Sequence, residues 1–208
     1  MVTPAKLTYT HSAPLESAAQ WLGKPEPGFR LFGFTKAQFS MLDVVLALVN
    51  LFGPAERMDA ATWTVGGQDV PKLLRLKQEG LIGEFRIVCD RSFPSMKPER
   101  CVQLEQALGA AAWRCTNNHA KVVALYWPRG GAVAIHTSGN MNTSIRCENI
   151  CVEDSAEVAA HITALVSEVF AAMPEGFEWP EKLGTQAFRA ITFGEVSKPV
   201  VRAPVYNW

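Results

Sequence analysis

An alternation of strand and helix patterns in the first half of the chain constrains its fold most strongly. Strand patterns at residues 29–34, 58–65, 84–90 and 111–115 alternate with helical patterns at 40–53, 70–78 and 98–109. Ser40 and Asp43 fit a capping box at the start of the first helix, and Gly53-Pro54 ends it. Three β–α units in succession favour a parallel sheet with helices on both faces. We therefore predict an α/β fold.

The pattern changes after this point. Strand patterns at 119–127 and 132–137 are joined by Pro128-Arg129-Gly130-Gly131, which is typical of a hairpin. A further strand at 148–152 and a helix that Ser155 caps complete the predicted domain. A hairpin within a β–α series makes the predicted sheet mixed, though largely parallel.

Three regions are predicted from composition. Residues 1–28 are rich in Pro, Thr and Ser, and we interpret them as an N-terminal arm. Residues 29–173 form the predicted domain. Residues 174–208 are rich in Pro, Gly and aromatic side chains, and we expect an extension that packs on the domain or on a partner subunit.

Residues 117–154 carry the polar side chains that indicate chemistry. His119 and Lys121 are two apart in a predicted strand, so their side chains should share one face. The hairpin should return the chain to Thr137, Ser138 and Asn140, and this group suits a phosphate. Lys121 and Asn140 can bind its oxygens, Ser138 adds a hydroxyl beside Thr137, and His119 can attack phosphorus or transfer a proton.

In this order the residues resemble the phospholipase D superfamily, whose motif is HxK, a hairpin, a Gly-Ser-x-Asn-like turn and an acidic residue on the next strand. His119-Ala120-Lys121 matches the first part. Thr137-Ser138-Gly139-Asn140 matches the turn, with Thr for the usual Gly, and Arg146-Cys147-Glu148-Asn149 is similar to the third part. The resemblance covers roughly residues 34–173. It departs at Tyr126, where the family often has an Asp.

The resemblance implies an α-β-α sandwich and a phosphodiesterase, with nucleic acid preferred to phospholipid as substrate. In single-motif relatives a later glutamate orients the histidine, and Glu148 is the candidate. One motif per chain implies a homodimer in which two His119 side chains meet. One would form a phosphohistidine and the other would protonate the leaving oxygen. Two copies of Lys121 and Asn140 would cradle the phosphate, so no metal or cofactor is expected.

The charge balance leaves another function open. Lys+Arg and Asp+Glu both number 20, so no strong basic field attracts nucleic acid non-specifically. The zero charge, Tyr126 and Thr137 are also consistent with a catalytically inactive module that binds nucleic acid or a protein partner. Such a chain could also be one part of a larger assembly.

The cysteines and the longest apolar stretch bear on location. Five cysteines, without a CxxC pair, are interpreted as reduced and mostly buried thiols. The apolar stretch at 44–52 is too short to span a bilayer, and the first residues lack a signal-peptide pattern. We predict a cytoplasmic protein that does not bind membranes.

Three other positions are expected to be structural. His136 should face away from Thr137, in the core or behind the site. Trp63 lies in a predicted strand and is expected in the core. Arg91 follows a strand end where α/β proteins often bind ligands, although a solvated loop is the preferred interpretation.

Overall fold

A computed structural model describes residues 7–9, 17–143 and 145–176, and this part of the chain forms one mixed sheet between helical layers. Its strands are β1 (Leu7–Tyr9), β2 (Arg30–Lys36), β3 (Ala55–Ala61), β4 (Ile82–Asp90), β5 (Trp113–Thr116), β6 (Val122–Tyr126), β7 (Ala132–Thr137) and β8 (Cys147–Asp154). Its α-helices are α1 (Ala18–Leu22), α2 (Met41–Phe52), α3 (Asp69–Gln78), α4 (Phe93–Met96), α5 (Pro98–Leu108) and α6 (Ala156–Ala172).

The strand order is β1-β2-β8-β7-β6-β3-β4-β5. The pairs β1–β2, β3–β4 and β4–β5 are parallel, and the other neighbours are antiparallel. When these pairings are followed across the sheet, β6 and β8 run against all the other described strands. The predicted mixed, largely parallel sheet is confirmed.

Helix α2 shows how local sequence sets an element boundary. The Ser40 hydroxyl accepts a hydrogen bond from the Asp43 amide, and the Asp43 carboxylate accepts one from the Ser40 amide (2.8 Å). This is the predicted capping box. Gly53 follows the helix with a φ of 87°, a conformation that favours glycine, and Pro54 comes next. The predicted helix therefore ends where expected.

Two hydrophobic cores give the sandwich its layers. The larger packs α1, α2, α3 and α5 on one face of the sheet through residues such as Leu42, Leu73 and Leu104. On the other face α6 packs on β3–β7, and small side chains such as Ala124 and Ala134 lie beneath it. Alanines allow this helix to approach the sheet closely. The α-β-α sandwich is confirmed.

The strand directions separate two edges of the sheet. We call the edge with the loops after β3, β4 and β7 and before β6 the site edge. The opposite edge, with the turn after β6 at 127–131 and the start of β3, is the far edge. Because the polar segments 117–121 and 137–140 both lie at the site edge, strand direction alone brings them together.

The predicted terminal regions are only partly covered by the described residues. Leu7–Tyr9 pairs with β2, and α1 buries Trp21 and Leu22 against the larger core. Almost all of the predicted extension at 174–208 lies outside the described residues, as does most of residues 1–16, so the three-region division stays a prediction. Within the described ranges, every helix is too short or too polar to cross a membrane.

Candidate phosphate site

His119 and Lys121 lie in a loop, because β6 begins only at Val122. The prediction that both belong to the strand is wrong, and Asn118 supplies the physical reason. Its Nδ2 donates to the Thr62 carbonyl (2.9 Å), and its Oδ1 accepts from the Ala120 amide (3.0 Å). This side chain bonds backbone groups of its own loop and of the loop after β3 in place of a strand ladder, so pairing starts later.

Lys121 is almost buried and contacts His119. The Lys121 side chain is 9% exposed, and its Nζ donates to the His119 carbonyl (2.7 Å) and lies 3.2 Å from His119 Nδ1. Burial lowers the pKa of Lys121, while Glu148 and Asp90 act to raise it. The ammonium therefore lies within electrostatic reach of the predicted acid.

The loop after β7 is held by its own hydroxyls. Thr137 Oγ1 donates to the Asn149 carbonyl (2.7 Å) and accepts from the Gly139 amide (3.0 Å). Ser138 Oγ accepts from the Asn149 amide (3.0 Å) and donates to the Glu148 carboxylate. In addition, the Thr137 amide donates to the Lys121 carbonyl (3.0 Å), which fixes this loop against the HxK segment.

Asn140 faces the loop after β3. Its Oδ1 accepts a hydrogen bond from the Trp63 backbone amide (3.1 Å). Because a backbone N–H can only donate, this contact assigns the amide orientation and leaves the Asn140 NH2 group as the donor for a ligand. Asn140 therefore presents the chemistry that a phosphate oxygen requires.

Glu148 is at the site edge, but its hydrogen bond goes to Ser138. Among the described residues, no hydrogen bond joins Glu148 to His119. The predicted role of Glu148 in orienting the imidazole therefore stays a prediction. Its proximity to the turn is clear, since a Cβ placed on Gly139 would lie 3.3 Å from Glu148 Cγ.

The Lys121 contact bears on the protonation of His119. If the Lys121 ammonium donates to Nδ1, a neutral imidazole must carry its proton on Nε2. A neutral imidazole in that tautomer has no lone pair on Nε2 for attack, and the general acid must instead be the imidazolium, which carries a hydrogen on both nitrogens. Attack through Nε2 requires the proton on Nδ1, which a carboxylate partner would stabilise.

Trp63, Asp90 and Ser92 belong to the same edge and were not predicted as site residues. Trp63 is half-buried, and its ring centroid lies 6.0 Å from that of His119. Its Nε1 donates to Ser92 Oγ (3.2 Å), and Ser92 Oγ donates to Asp90. The expectation of a core tryptophan is wrong, because β3 ends at Ala61. The signal that could have found them is their place after adjacent parallel strands.

Tyr126, at the position where the resemblance to the phospholipase D superfamily leads one to expect an Asp, is not near His119. It ends β6 at the far edge, where its hydroxyl lies 2.6 Å from Thr163 Oγ1 on α6. Thr163 donates to the buried carboxylate of Asp59 (2.6 Å), which also binds Arg86. Tyr126 therefore belongs to the contact between α6 and the sheet and not to the site edge.

The site edge is open. A hollow of about 10 Å³ adjoins Asn140 and Glu148, which is room for about one water molecule. His119 itself is exposed, so a substrate would bind on the surface beside this hollow. A much larger hollow, of about 560 Å³, lies at the far edge between Phe29, Phe52 and Trp127, away from all the predicted site residues. Within the described ranges no group of three or more metal-ligating side chains lies together.

No protein-family model matches this chain, and no curated protein matches it. Solved structures match its fold. Nuc from Salmonella typhimurium, described as a phospholipase D family member, shares 14% identity over 70% of this chain and 96% of its own, with a TM-score of 0.52. Polyphosphate kinase from Porphyromonas gingivalis shares 12% identity over 72% of this chain and 27% of its own, with a TM-score of 0.50. NucT from Helicobacter pylori shares 10% identity over 71% of this chain and 99% of its own, with a TM-score of 0.46. At these identities the likeness concerns the fold.

Proposed function

Since this chain has the fold of the phospholipase D superfamily, we propose that it is a phosphodiesterase that cleaves nucleic acid through His119, without a metal ion. The observation that carries the proposal is the convergence of His119, Lys121 and Asn140 at one edge of the sheet. An imidazole, an ammonium and an amide NH2 group together supply a nucleophile and two donors for phosphate oxygens.

The proposed reaction has two displacements. An imidazole nitrogen of one His119 attacks phosphorus, and the bond to the leaving oxygen breaks as a second His119 donates its proton. A phosphohistidine results. Water then attacks phosphorus, gives a proton to the second imidazole and releases the first, so both histidines return to their starting states.

We further propose that the second His119 comes from another copy of the chain. The chain contains one HxK motif, and an exposed His119 is accessible to a partner. Both roles need Nδ1 to carry a hydrogen, because the general acid is an imidazolium and the nucleophile attacks through Nε2. A carboxylate that accepts from Nδ1 would serve both, and Glu148 is the candidate.

The first experiment is cleavage of a labelled oligonucleotide in the presence of a chelator. We expect the wild type to cut, with a labelled phosphohistidine trapped on acid-free denaturation. His119→Asn should lose both activities. His161→Asn is the matched control, because His161 is exposed on α6 and bonded to a local carbonyl. Cleavage by His119→Asn at the wild-type rate would refute the proposal.

The second experiment tests the shared site by subunit mixing. If both His119 side chains serve one reaction, only homodimers of intact chains are active. Equal amounts of wild type and His119→Asn are mixed and allowed to exchange subunits. Random pairing makes about a quarter of the dimers fully wild type, so activity should fall to about a quarter of that of wild type at the same total protein concentration. A fall to about one half would mean that each chain works alone.

A binding module remains the second candidate, and the Glu148–Ser138 contact favours it. With that carboxylate on Ser138, the described chain lacks the group that would activate His119 for attack. The two functions separate in one gel: a mobility shift of the oligonucleotide without product, in wild type and His119→Asn alike, would replace hydrolysis by binding.

A further inference from the structure

Trp63 places an aromatic ring next to the candidate nucleophile. It lies in the loop after β3, and its ring and that of His119 are 6.0 Å apart between centroids and tilted by 53°. Trp63 is only half-buried, so the residue is partly accessible at the site edge. It belongs to none of the hydrophobic clusters of the described residues.

The indole is fixed by hydrogen bonds on both its backbone and its ring. The Trp63 amide donates to Asn140 Oδ1 (3.1 Å), and its carbonyl accepts from the Asp90 amide (3.3 Å). Ring Nε1 donates to Ser92 Oγ (3.2 Å). An aromatic ring that is already immobilised loses little further entropy when a flat ligand stacks on it.

The net charge of the chain indicates that binding to nucleic acid would need contacts other than charge. With a formal net charge of zero, the chain has no broad basic field to hold nucleic acid. Stacking of bases on aromatic rings supplies affinity that does not depend on charge and tolerates any base sequence. A base is available for stacking only when it has left the double helix.

We propose that Trp63 stacks on the base next to the phosphate held at His119, and that the substrate is therefore single-stranded nucleic acid. This inference rests on the proposed phosphodiesterase function and adds a substrate class and a specificity-determining residue to it. The rival role for Trp63 is to hold the His119 ring in place by packing. That role affects every substrate equally, whereas stacking affects only substrates that carry bases.

The experiment compares three substrates with the same backbone and label: a single-stranded DNA oligomer, its duplex, and an oligomer of abasic tetrahydrofuran nucleotides. An RNA strand of the same sequence shows which sugar is accepted. We expect the wild type to prefer the base-bearing single strand to both others. Trp63→Leu should lower kcat/KM for that strand on the order of 10- to 100-fold and leave the abasic oligomer nearly unchanged. Trp63→Phe should lose less, because it keeps a ring.

Trp127→Leu is the matched control. Trp127 is also half-buried with its Nε1 bonded, but to the Gly53 carbonyl (2.9 Å) at the far edge. Its loss should leave the ratio between base-bearing and abasic substrates at the wild-type value. Thermal unfolding of each variant verifies that the fold is retained.

Two results would overturn the inference. Equal losses of Trp63→Leu on the base-bearing and abasic oligomers would assign Trp63 to positioning alone. A duplex cut as fast as the single strand would exclude an unstacked base. If the wild type cuts nothing, the phosphodiesterase proposal fails by itself, and fluorescence anisotropy with the same oligomers still tests stacking. Equal affinity of the wild type for base-bearing and abasic strands would then refute it.

Discussion

Lys121 lowers the stability of the fold while providing a donor for the phosphate. The fold partly buries this ammonium group, which costs free energy, and its contacts with the carbonyl and Nδ1 of His119 offset part of that cost. Burial lowers the pKa of Lys121 in the folded state below its ordinary value. The unfolded state therefore binds this proton more tightly than the folded state, so the stability lost at neutral pH returns as pH rises from the folded pKa to the unfolded pKa.

Replacement of Lys121 by Met should accordingly separate stability from activity. We expect Lys121→Met to unfold at the same or a higher temperature than the wild type at pH 7, with a smaller advantage at pH 10. Its kcat/KM should fall on the order of 10²- to 10³-fold, because one donor to the phosphate is gone. Thermal unfolding at both pH values and the oligonucleotide assay measure this. A clear loss of stability at pH 7 would contradict the burial argument.

Gly66 controls how closely the loop after β7 can approach the loop after β3. A Cβ at residue 66 would lie 2.7 Å from Asn142 Cβ, next to the bond from the Gly66 amide to the Met141 carbonyl (2.7 Å). We expect Gly66→Ala to displace this loop and lower kcat/KM by at least about tenfold, since small misplacements at a site are costly. Oligonucleotide cleavage measures the effect.

Gly83→Ala is the control for this change. It makes a similarly close contact, 2.8 Å from the Glu56 carbonyl, at the start of β4 and therefore at the far edge. If both variants lose stability but only Gly66→Ala loses activity, the effect belongs to the site. Equal activity of the two would show that the close approach at Gly66 is unimportant for catalysis.

At the scale of elements, a buried carboxylate adds polar contacts to the apolar packing of α6 on the sheet. Asp59 is fully buried on β3 and accepts two hydrogen bonds from Arg86 (2.6 and 2.7 Å). Thr163 on α6 also donates to it (2.6 Å) and contacts the Tyr126 hydroxyl. The network thus gives the Tyr126 hydroxyl a partner between β6 and α6.

Asp59→Asn should destabilise the fold by roughly 3–5 kcal/mol, because it leaves the Arg86 guanidinium without its charge partner in a largely buried place. Urea unfolding measures the loss. Glu79→Gln, which removes the exposed pair with Arg75 (2.9 Å), is the control and should cost far less, because solvent screens that pair. Similar losses in both variants would contradict the assigned role of Asp59.

Features set by neighbours in the sequence were predicted correctly, whereas features set by residues distant in the sequence were not. Strand β7 was predicted with its observed bounds, and the Ser40 and Ser155 caps were predicted correctly, because alternation and capping are local. The start of β6 was missed, since the Asn118 side chain bonds Thr62, a residue far away in sequence. The place of Trp63 beside His119 likewise depends on the strand order, which no local pattern contains.

At the scale of the whole molecule, thiol burial divides the five cysteines. Cys89, Cys101 and Cys115 are buried, Cys151 is partly exposed and Cys147 is exposed. Burial raises the pKa of Cys101 to about 12 and also raises that of Cys115. The prediction of mostly buried, unpaired thiols is confirmed for these three, while Cys147 departs from it.

We expect an aromatic disulfide that releases a coloured thiolate to react at pH 8 first with Cys147, then more slowly with Cys151. The three buried thiols should react only after unfolding, because they are shielded and remain protonated. Absorbance in native buffer and in urea counts the two classes. Cys147→Ser should remove the fast phase, and rapid reaction of that variant would mean that the core opens readily.

The antiparallel register of β6 and β7 holds the two site segments together independently of the turn that joins the strands. Rungs such as Val122↔His136 join the two strands, and the Thr137 amide bonds the Lys121 carbonyl at the site edge. The tip of the hairpin, at Pro128–Gly131, lies at the other end of those strands. Insertions there, or even new chain termini, would leave the HxK segment facing the Ser-Gly-Asn turn. The length of the turn thus sets how many residues separate the two motifs. The pairing of β6 with β7 keeps the motifs together whatever that number is.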